Sequence, residues 1–239
     1  MLPLDKYVSE GIINLSAVDE SQIVSGRIDG KLYGVNLGTN SPGIVYDPAL
    51  FKKAGVSFPK TNWTWNDFRD IAIKLKNKLG IYGAESITVA DANVFKSWLL
   101  SYGYWLYSED GKSIGYRDDR LFSDWFNLLL NMQDKGAIPP IDIDMSMGTM
   151  GVENRFIVAQ KSAMVFLTSN QIISVSKAAK ERPLRLALMP KAPIPNPKPA
   201  NYLKAAMFFS VSSQSKYPKE AAMFIDFFTN SIEANKLLL

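Results

Sequence analysis

The chain has 239 residues, 47% apolar and 21% charged, enough for one large or two modest lobes and too little charge for a disordered chain. It holds no cysteine and no histidine, which excludes disulfides, Cys/His zinc sites and every mechanism that needs a thiol nucleophile or an imidazole base. The formal charge of +4 is small for this length, and no basic stripe interleaved with aromatics points to nucleic acid.

No stretch approaches the ~20 apolar residues of a membrane span. The opening Met1-Leu2-Pro3-Leu4-Asp5 is not followed by the apolar core of a signal peptide. The first thirty or so residues read as irregular structure with short helical pieces. The turn pair Asp29-Gly30 leads into a predicted strand over Lys31–Leu37, and Gly43–Asp47 reads as a second, buried strand. Asp47 is placed to cap a short helix with Pro48 at its first position and Gly55 at its end. The clearest helix spans Trp65–Leu79, with Thr64 as N-cap, Asp67 completing a capping box and Gly80 at the C′ position. Its apolar stripe is Phe68, Ile71, Ala72 and Leu75.

A helix after Asp91 carries Val94, Phe95, Trp98, Leu99 and Tyr102 on one face and stops at Gly103. Asp110-Gly111 marks a turn. The next helix follows Asp119, with Leu121, Trp125, Leu128, Leu129 and Met132 on one face and Gly136 beyond it. Pro139-Pro140 bars its continuation. Further elements are a short helix over Glu153–Gln160, a strand over Ala163–Leu167, and a helix capped by Thr168-Ser169-Asn170 that runs to about Lys180. Alternation of Leu184, Leu186 and Leu188 predicts a half-buried strand. Five prolines within Pro190–Asn201 make that stretch a connector. A strand over Ala205–Val211 follows, then a helix from Pro218 with the stripe Ala221, Phe224, Ile225 and Phe228, and a last helix from Ser231. This irregular alternation of helices and strands is α/β. The chain opens without a strand–helix unit and stops inside a helix, so it reads as an internal portion of a longer protein.

Chemistry-bearing patterns are few. Asp142 and Asp144, two apart, would share a face if the segment were a strand and would then suit glycosidic work; a solvated loop after the two prolines is the plainer reading. Asp118 and Asp119 are a second acidic pair, and neither pair has the calcium-loop spacing. No phosphate-binding glycine loop is present. Met145, Met147 and Met150 read as a loop or lid packing on the core rather than a soft metal site. Aromatics are the conspicuous resource: five tryptophans and ten tyrosines. Trp65, Trp98 and Trp125 lie on or beside helix stripes and read as core. Trp63, Tyr104 and Trp105 lie at loops or helix ends, where a ring is free to meet a flat sugar face.

Several segments, in order, resemble a known family. Asp29-Gly30-Lys31-Leu32-Tyr33-Gly34-Val35, Tyr46-Asp47-Pro48 through Ala54-Gly55-Val56, Trp63-Thr64-Trp65-Asn66-Asp67-Phe68, Phe156 through Met164, and Lys219-Glu220-Ala221-Ala222 with Phe224-Ile225-Asp226-Phe227 are similar to blocks of the family 1 extracellular solute-binding proteins. These include maltose- and multiple-sugar-binding receptors of ABC importers. The resemblance implies a two-lobed, periplasmic-binding-protein-like α/β fold of type II, incomplete in this chain. Residues 1–42 would be part of the N-terminal lobe, 43–190 most of the C-terminal lobe and 191–239 a truncated return to the first. It also implies a sugar or oligosaccharide held in an interlobe cleft, hinge closure on it, and delivery to ABC permease subunits. No cofactor or metal is implied, and the full-length protein would be an exported monomer, periplasmic or lipid-anchored at the cell surface.

By position, the family's sugar contacts fall on Thr39 and Asn40, on Asp91 or Asn93, and on the loop with Ser169 and Asn170, which lacks the family's stacking Trp; Tyr202 and Lys204 lie where the family commonly has a glycine-rich loop near the hinge, and Tyr104 and Trp105 join the candidates as rings at a helix end. Asn36 stands where the family usually has proline. Two other readings remain open at this stage: a receptor for a non-sugar solute (a phosphorylated polyol, a peptide, a polyamine), and a glycan-active enzyme using a carboxylate or a tyrosine.

Overall fold

The computed structural model describes residues 1–87, 92–148, 150–180 and 182–237. In chain order its elements are α1 (Asp5–Ser9), α2 (Glu20–Val24), β1 (Arg27–Ile28), β2 (Lys31–Leu32), β3 (Val35–Asn36), β4 (Thr39–Asn40), β5 (Pro42–Tyr46), α3 (Pro48–Ala54), α4 (Trp65–Leu79), α5 (Ala92–Ser101), α6 (Arg120–Asp134) and α7 (Ile141–Gly148). There follow a 3-10 turn (Val152–Asn154), β6 (Met164–Thr168), α8 (Gln171–Ala178), β7 (Arg185–Ala187), β8 (Lys204–Ala205), β9 (Phe208–Phe209), α9 (Pro218–Asn230) and α10 (Ile232–Lys236). Packing divides the chain into two compact units: unit 1, Met1–Asn40 with Leu203–Leu239, and unit 2, Ser41–Tyr202. The backbone passes between them at Asn40–Ser41 and Tyr202–Leu203. The expected divisions lay after residues 42 and 190, so residues 191–202, expected to return with the first unit, pack in unit 2 instead. Lys191 N donates to Trp63 O, and Ala192 and Ala200 are buried.

In unit 1, Asp29 and Gly30 both take positive φ (50° and 78°), the backbone of a two-residue type I′ reversal, and the flanking residues pair as a hairpin, Arg27 with Leu32 and Ile28 with Lys31. The single strand expected over Lys31–Leu37 is broken. Tyr33 N and Gly34 N both donate to Gly26 O, turning the chain, and β3 leaves to pair with β9. The strand expected over Ala205–Val211 is likewise two short pieces. This second split has its own cause: β3·β9 and β4·β8 share a register, Val35 with Phe209 and Asn40 with Lys204, interrupted at Gly38, whose φ is 153°. Leu37 N to Met207 O and Ala206 N to Gly38 O carry the ribbon across the interruption.

Leu4, Tyr7, Ile13, Leu32, Val35, Val211, Ala222 and Ile225 form this unit's core. Asp5 ties α1 to the hairpin by accepting from Leu32 N (2.9 Å) and Arg27 Nη1 (2.8 Å). The α9 stripe is shifted from the expected one: Ala222 and Ile225 are buried, whereas Phe224 is half exposed, its ring beside those of Phe209 and Phe228.

In unit 2, β5 is the centre of a three-stranded antiparallel sheet, ordered β6-β5-β7. All five of its residues are buried, because its two faces serve two cores. Ile44 and Tyr46 look into the core that holds the tryptophans, and Val45 faces Ile157, Val165, Leu167 and Val175. A Cβ on Gly43 would lie 2.7 Å from Leu186 Cδ1 and 3.1 Å from Ala187 O, so a larger residue there would force the exposed Leu186 side chain aside. β7 is an edge strand of three residues, and Leu186 and Leu188, expected half-buried, are exposed.

Asp47 caps α3 through Ala49 N and Leu50 N and pairs with Arg182 Nη1 at 2.6 Å; Arg182 Nη2 also donates to Ile157 O and Val158 O. The Thr64–Asp67 capping box starts α4, and Gly80 ends it at φ 73°. Trp65, Trp98 and Trp125 gather with ring centroids 5.1 to 6.0 Å apart, joining α4, α5 and α6 in the main core.

Three further expectations fail in unit 2. The stretch Glu153–Gln160 is a 3-10 turn followed by turns, because the Glu85 carboxylate takes the amides of Phe156 and Ile157 that a helix would need. Residues 141–148, expected as a solvated loop, form α7, with Asp144 buried and Met145 half exposed instead of packed inward as in a lid. Asn170 makes no side-chain cap to α8, which stops at Ala178; Gln171 Oε1 accepts from Thr168 N instead.

Candidate functional site

The helix α5 buries Val94, Phe95, Trp98 and Leu99, which leaves Asn93 and Lys96, one turn apart, on its half-buried flank. Gly103, at φ 89°, closes the helix, with Tyr104 N donating back to Leu99 O. The chain then emerges with the Tyr104 and Trp105 side chains 42% and 41% exposed. The proline-rich connector returns beside this end of α5: Lys198 N donates to Ser101 O at 3.0 Å. That path delivers Tyr202 to Trp105, edge to face, with centroids 5.5 Å apart and planes at 86°. Tyr202 Oη donates to Asn93 Oδ1 at 3.3 Å, and Lys96 Nζ stands over the Trp105 ring, 5.9 Å from its centre. Of the expected site residues, Asn93, Trp105 and Tyr202 are therefore brought together. Lys96 joins them unforeseen, because one lysine on a helix flank looks in sequence like any solvated charge.

Asn201 was also missed, hidden among the prolines. Its Nδ2 donates to Pro42 O (2.6 Å) and Ser41 Oγ (3.1 Å), and its Oδ1 accepts from Met189 N (3.0 Å). Ser169 meets the same segment: Ser169 N donates to Ser41 O and Ser169 Oγ accepts from Ser41 N. Asn170 Oδ1 accepts from Thr168 Oγ1. The loop expected to offer its amides and side chains to a ligand thus spends the Thr168 and Ser169 amides on its own fold.

In unit 1, Gln22 Oε1 accepts from both Asn36 Nδ2 (2.7 Å) and Thr39 Oγ1 (2.8 Å), giving Thr39 a fixed hydroxyl. Asn40 is register partner to Lys204, which is exposed. Asp91 lies outside the described residues. Trp63, expected at a free loop position, is core: it is buried, with Nε1 donating to Leu188 O at 2.9 Å.

Among the described residues the electrostatics assemble no acid–base pair. Asp142 and Asp144 sit two apart on a helix, hence on different faces, and Asp144 accepts from Ser86 N at 2.8 Å. Burial pushes the Glu85 carboxyl up to about 7 against the pull of the Phe156 and Ile157 amides and of Arg155. A carboxyl so raised is a common mark of a catalytic acid, but Glu85 is sealed from solvent and both its oxygens hold backbone amides. Tyr102 is pushed up to about 12, by burial first and Asp124 second, away from a phenolate base. Among the described residues no group of three or more Asp, Glu, His or Cys is placed to hold a metal ion, and no helix is long and apolar enough to cross a membrane.

Comparison with known proteins agrees with this architecture. A solute-binding protein of family 1 from Alicyclobacillus acidocaldarius has a solved structure that is 28% identical and superposes with a TM-score of 0.71 over 99% of this chain and 60% of its own. An oligogalacturonide-binding protein from Yersinia enterocolitica, solved with saturated digalacturonic acid, is 23% identical with a TM-score of 0.80 over 99% of this chain and 58% of its own. A binding protein of Brucella abortus is 26% identical over 114 residues, 46% of this chain and 27% of that protein. The chain thus spans less than two thirds of the length of each. The profile of the bacterial extracellular solute-binding proteins matches residues 3–238, and the chain belongs to that family.

Proposed function

We propose that this chain is the solute-binding component of an ABC importer, that it binds a sugar or oligosaccharide outside the cytoplasm, and that it hands the sugar unchanged to the permease. The observation that carries this reading is the Trp105–Tyr202–Asn93 ledge: an exposed indole braced by a tyrosine whose hydroxyl is pinned to an amide. The electron-rich face of such a ring attracts the polarised C–H face of a sugar, and neighbouring hydroxyl and amide groups held in place bond the sugar's hydroxyls at little ordering cost. Solved proteins of this fold bind carbohydrates: the Yersinia protein holds a digalacturonic acid and a Listeria monocytogenes one holds cycloalternan. Binding without conversion fits the uses found for Glu85 and Asp144, whose carboxylates hold backbone amides.

A thermal-shift panel of neutral and acidic mono- and oligosaccharides tests this. A sugar at ~100 times its dissociation constant adds about 2.7 kcal/mol of stability, and chromatography should return it intact. A cooperative melt that no sugar moves contradicts the reading, as does release of a cleaved product.

A further inference from the structure

Lys96 is the charged member of this ledge, and beyond its place over the Trp105 ring its charge has no structural use among the described residues. Among the described residues its charge meets the Trp105 ring, and the residue is half-buried on the flank of α5. Among the described residues no carboxylate lies within ion-pair distance of it and it donates no hydrogen bond, whereas Arg27 and Arg182 each have an acidic partner. The stem of a second lysine, Lys198, runs 3.6 Å from where a Cβ of Gly103 would stand, one residue before Tyr104. An ammonium with three donors, set over an aromatic face with no carboxylate beside it among the described residues, is compensated when a ligand brings the negative charge.

We propose that Lys96 determines specificity, and that the solute taken at Trp105 and Tyr202 is an acidic sugar: a uronic acid or another carboxylated sugar whose ring lies against the indole while its carboxylate meets the Lys96 ammonium. The proposal rests on the sugar-binding reading above and names the substrate class within it. The physical reason is selectivity. A hydroxymethyl group offers Lys96 a neutral hydrogen bond little better than the water it replaces, whereas a carboxylate offers a charge-assisted one about twice as strong. The adjoining ring limits how far solvent screens it.

Glucuronate against glucose, and galacturonate against galactose, differ only in carrying a carboxylate or a hydroxymethyl group at C6. The dissociation constant of each, and of a disaccharide of each kind, is read from tryptophan emission. Trp63, Trp65, Trp98 and Trp125 are buried, so Trp105 reports ligand contact. The wild type should bind the uronates about tenfold more tightly than the matched hexoses. Lys96→Gln should abolish that preference, Lys96→Arg should retain most of it, and added salt should weaken uronate binding alone. Equal binding of acid and hexose, or a uronate preference that survives Lys96→Gln, overturns the proposal while leaving the sugar-binding reading intact. Silence toward every sugar removes that reading and the proposal with it.

Discussion

Glu85 shows at the scale of one residue how a group that looks catalytic serves the fold. Its carboxyl ionises near 7 in the folded chain against an ordinary 4.5, because burial disfavours the charge. The sign follows: the folded state holds the proton more tightly, so the stabilisation is complete below about pH 4.5 and is lost as pH rises through 7, a change of roughly 3 kcal/mol. Urea melts from pH 4.5 to 8 should show stability falling across that window, and Glu85→Gln should flatten the slope; an unchanged slope would contradict this assignment. Asn201 is the second such residue. Asn201→Ala strands Met189 N and removes two donated bonds, so chemical denaturation should show a loss of about 1–3 kcal/mol. Neither residue is marked in the sequence. Glu85 sits in a stretch with no periodicity and acquires its partners 71 and 72 positions away, and Asn201 follows a run of prolines that sequence rules assign to a connector.

Elements were legible where local chemistry and burial agree. The capping box, apolar stripe and terminal glycine of α4 all appear in the sequence and all form. The tryptophans on helix stripes are core, as their spacing indicates. Trp125→Ala should cost about 3–5 kcal/mol by opening a cavity between three helices, while Thr64→Ala should cost about 1 kcal/mol by removing a cap alone. Differential scanning calorimetry distinguishes the two, and a loss at Trp125 no larger than at Thr64 would mean that the tryptophan cluster is not the centre of that core. Elements were misread where tertiary partners decide. The segment from Lys31 to Leu37 has the composition of one strand but splits because two successive amides turn onto Gly26. The stretch after Pro139-Pro140 reads as a loop from its place behind two prolines but is helix, with Asp144 inside. For the proposed site, Trp105, Tyr202 and Asn93 were each nameable from position, but that they touch depends on the path of residues 191–202. Lys96, which gives the ledge its charge, carried no sequence signal.

For the whole molecule, what the family supplies is a fold built to hold a solute and let it go, and what this chain adds is a particular ledge. Its substrate class follows from side chains, because one fold carries many ligands. Trp105 lies outside the core, so Trp105→Ala should leave the fold intact at a cost of about 1 kcal/mol for the lost contact with Tyr202, and would remove the surface on which the proposed sugar rests. The direct test is titration calorimetry of wild type and Trp105→Ala with the sugar that stabilises the protein most. A loss of affinity of about tenfold or more, with the fold intact and the sugar recovered unchanged, is the predicted result. Equal affinity in the two proteins would contradict the account, since the sugar would then be bound somewhere other than the ledge.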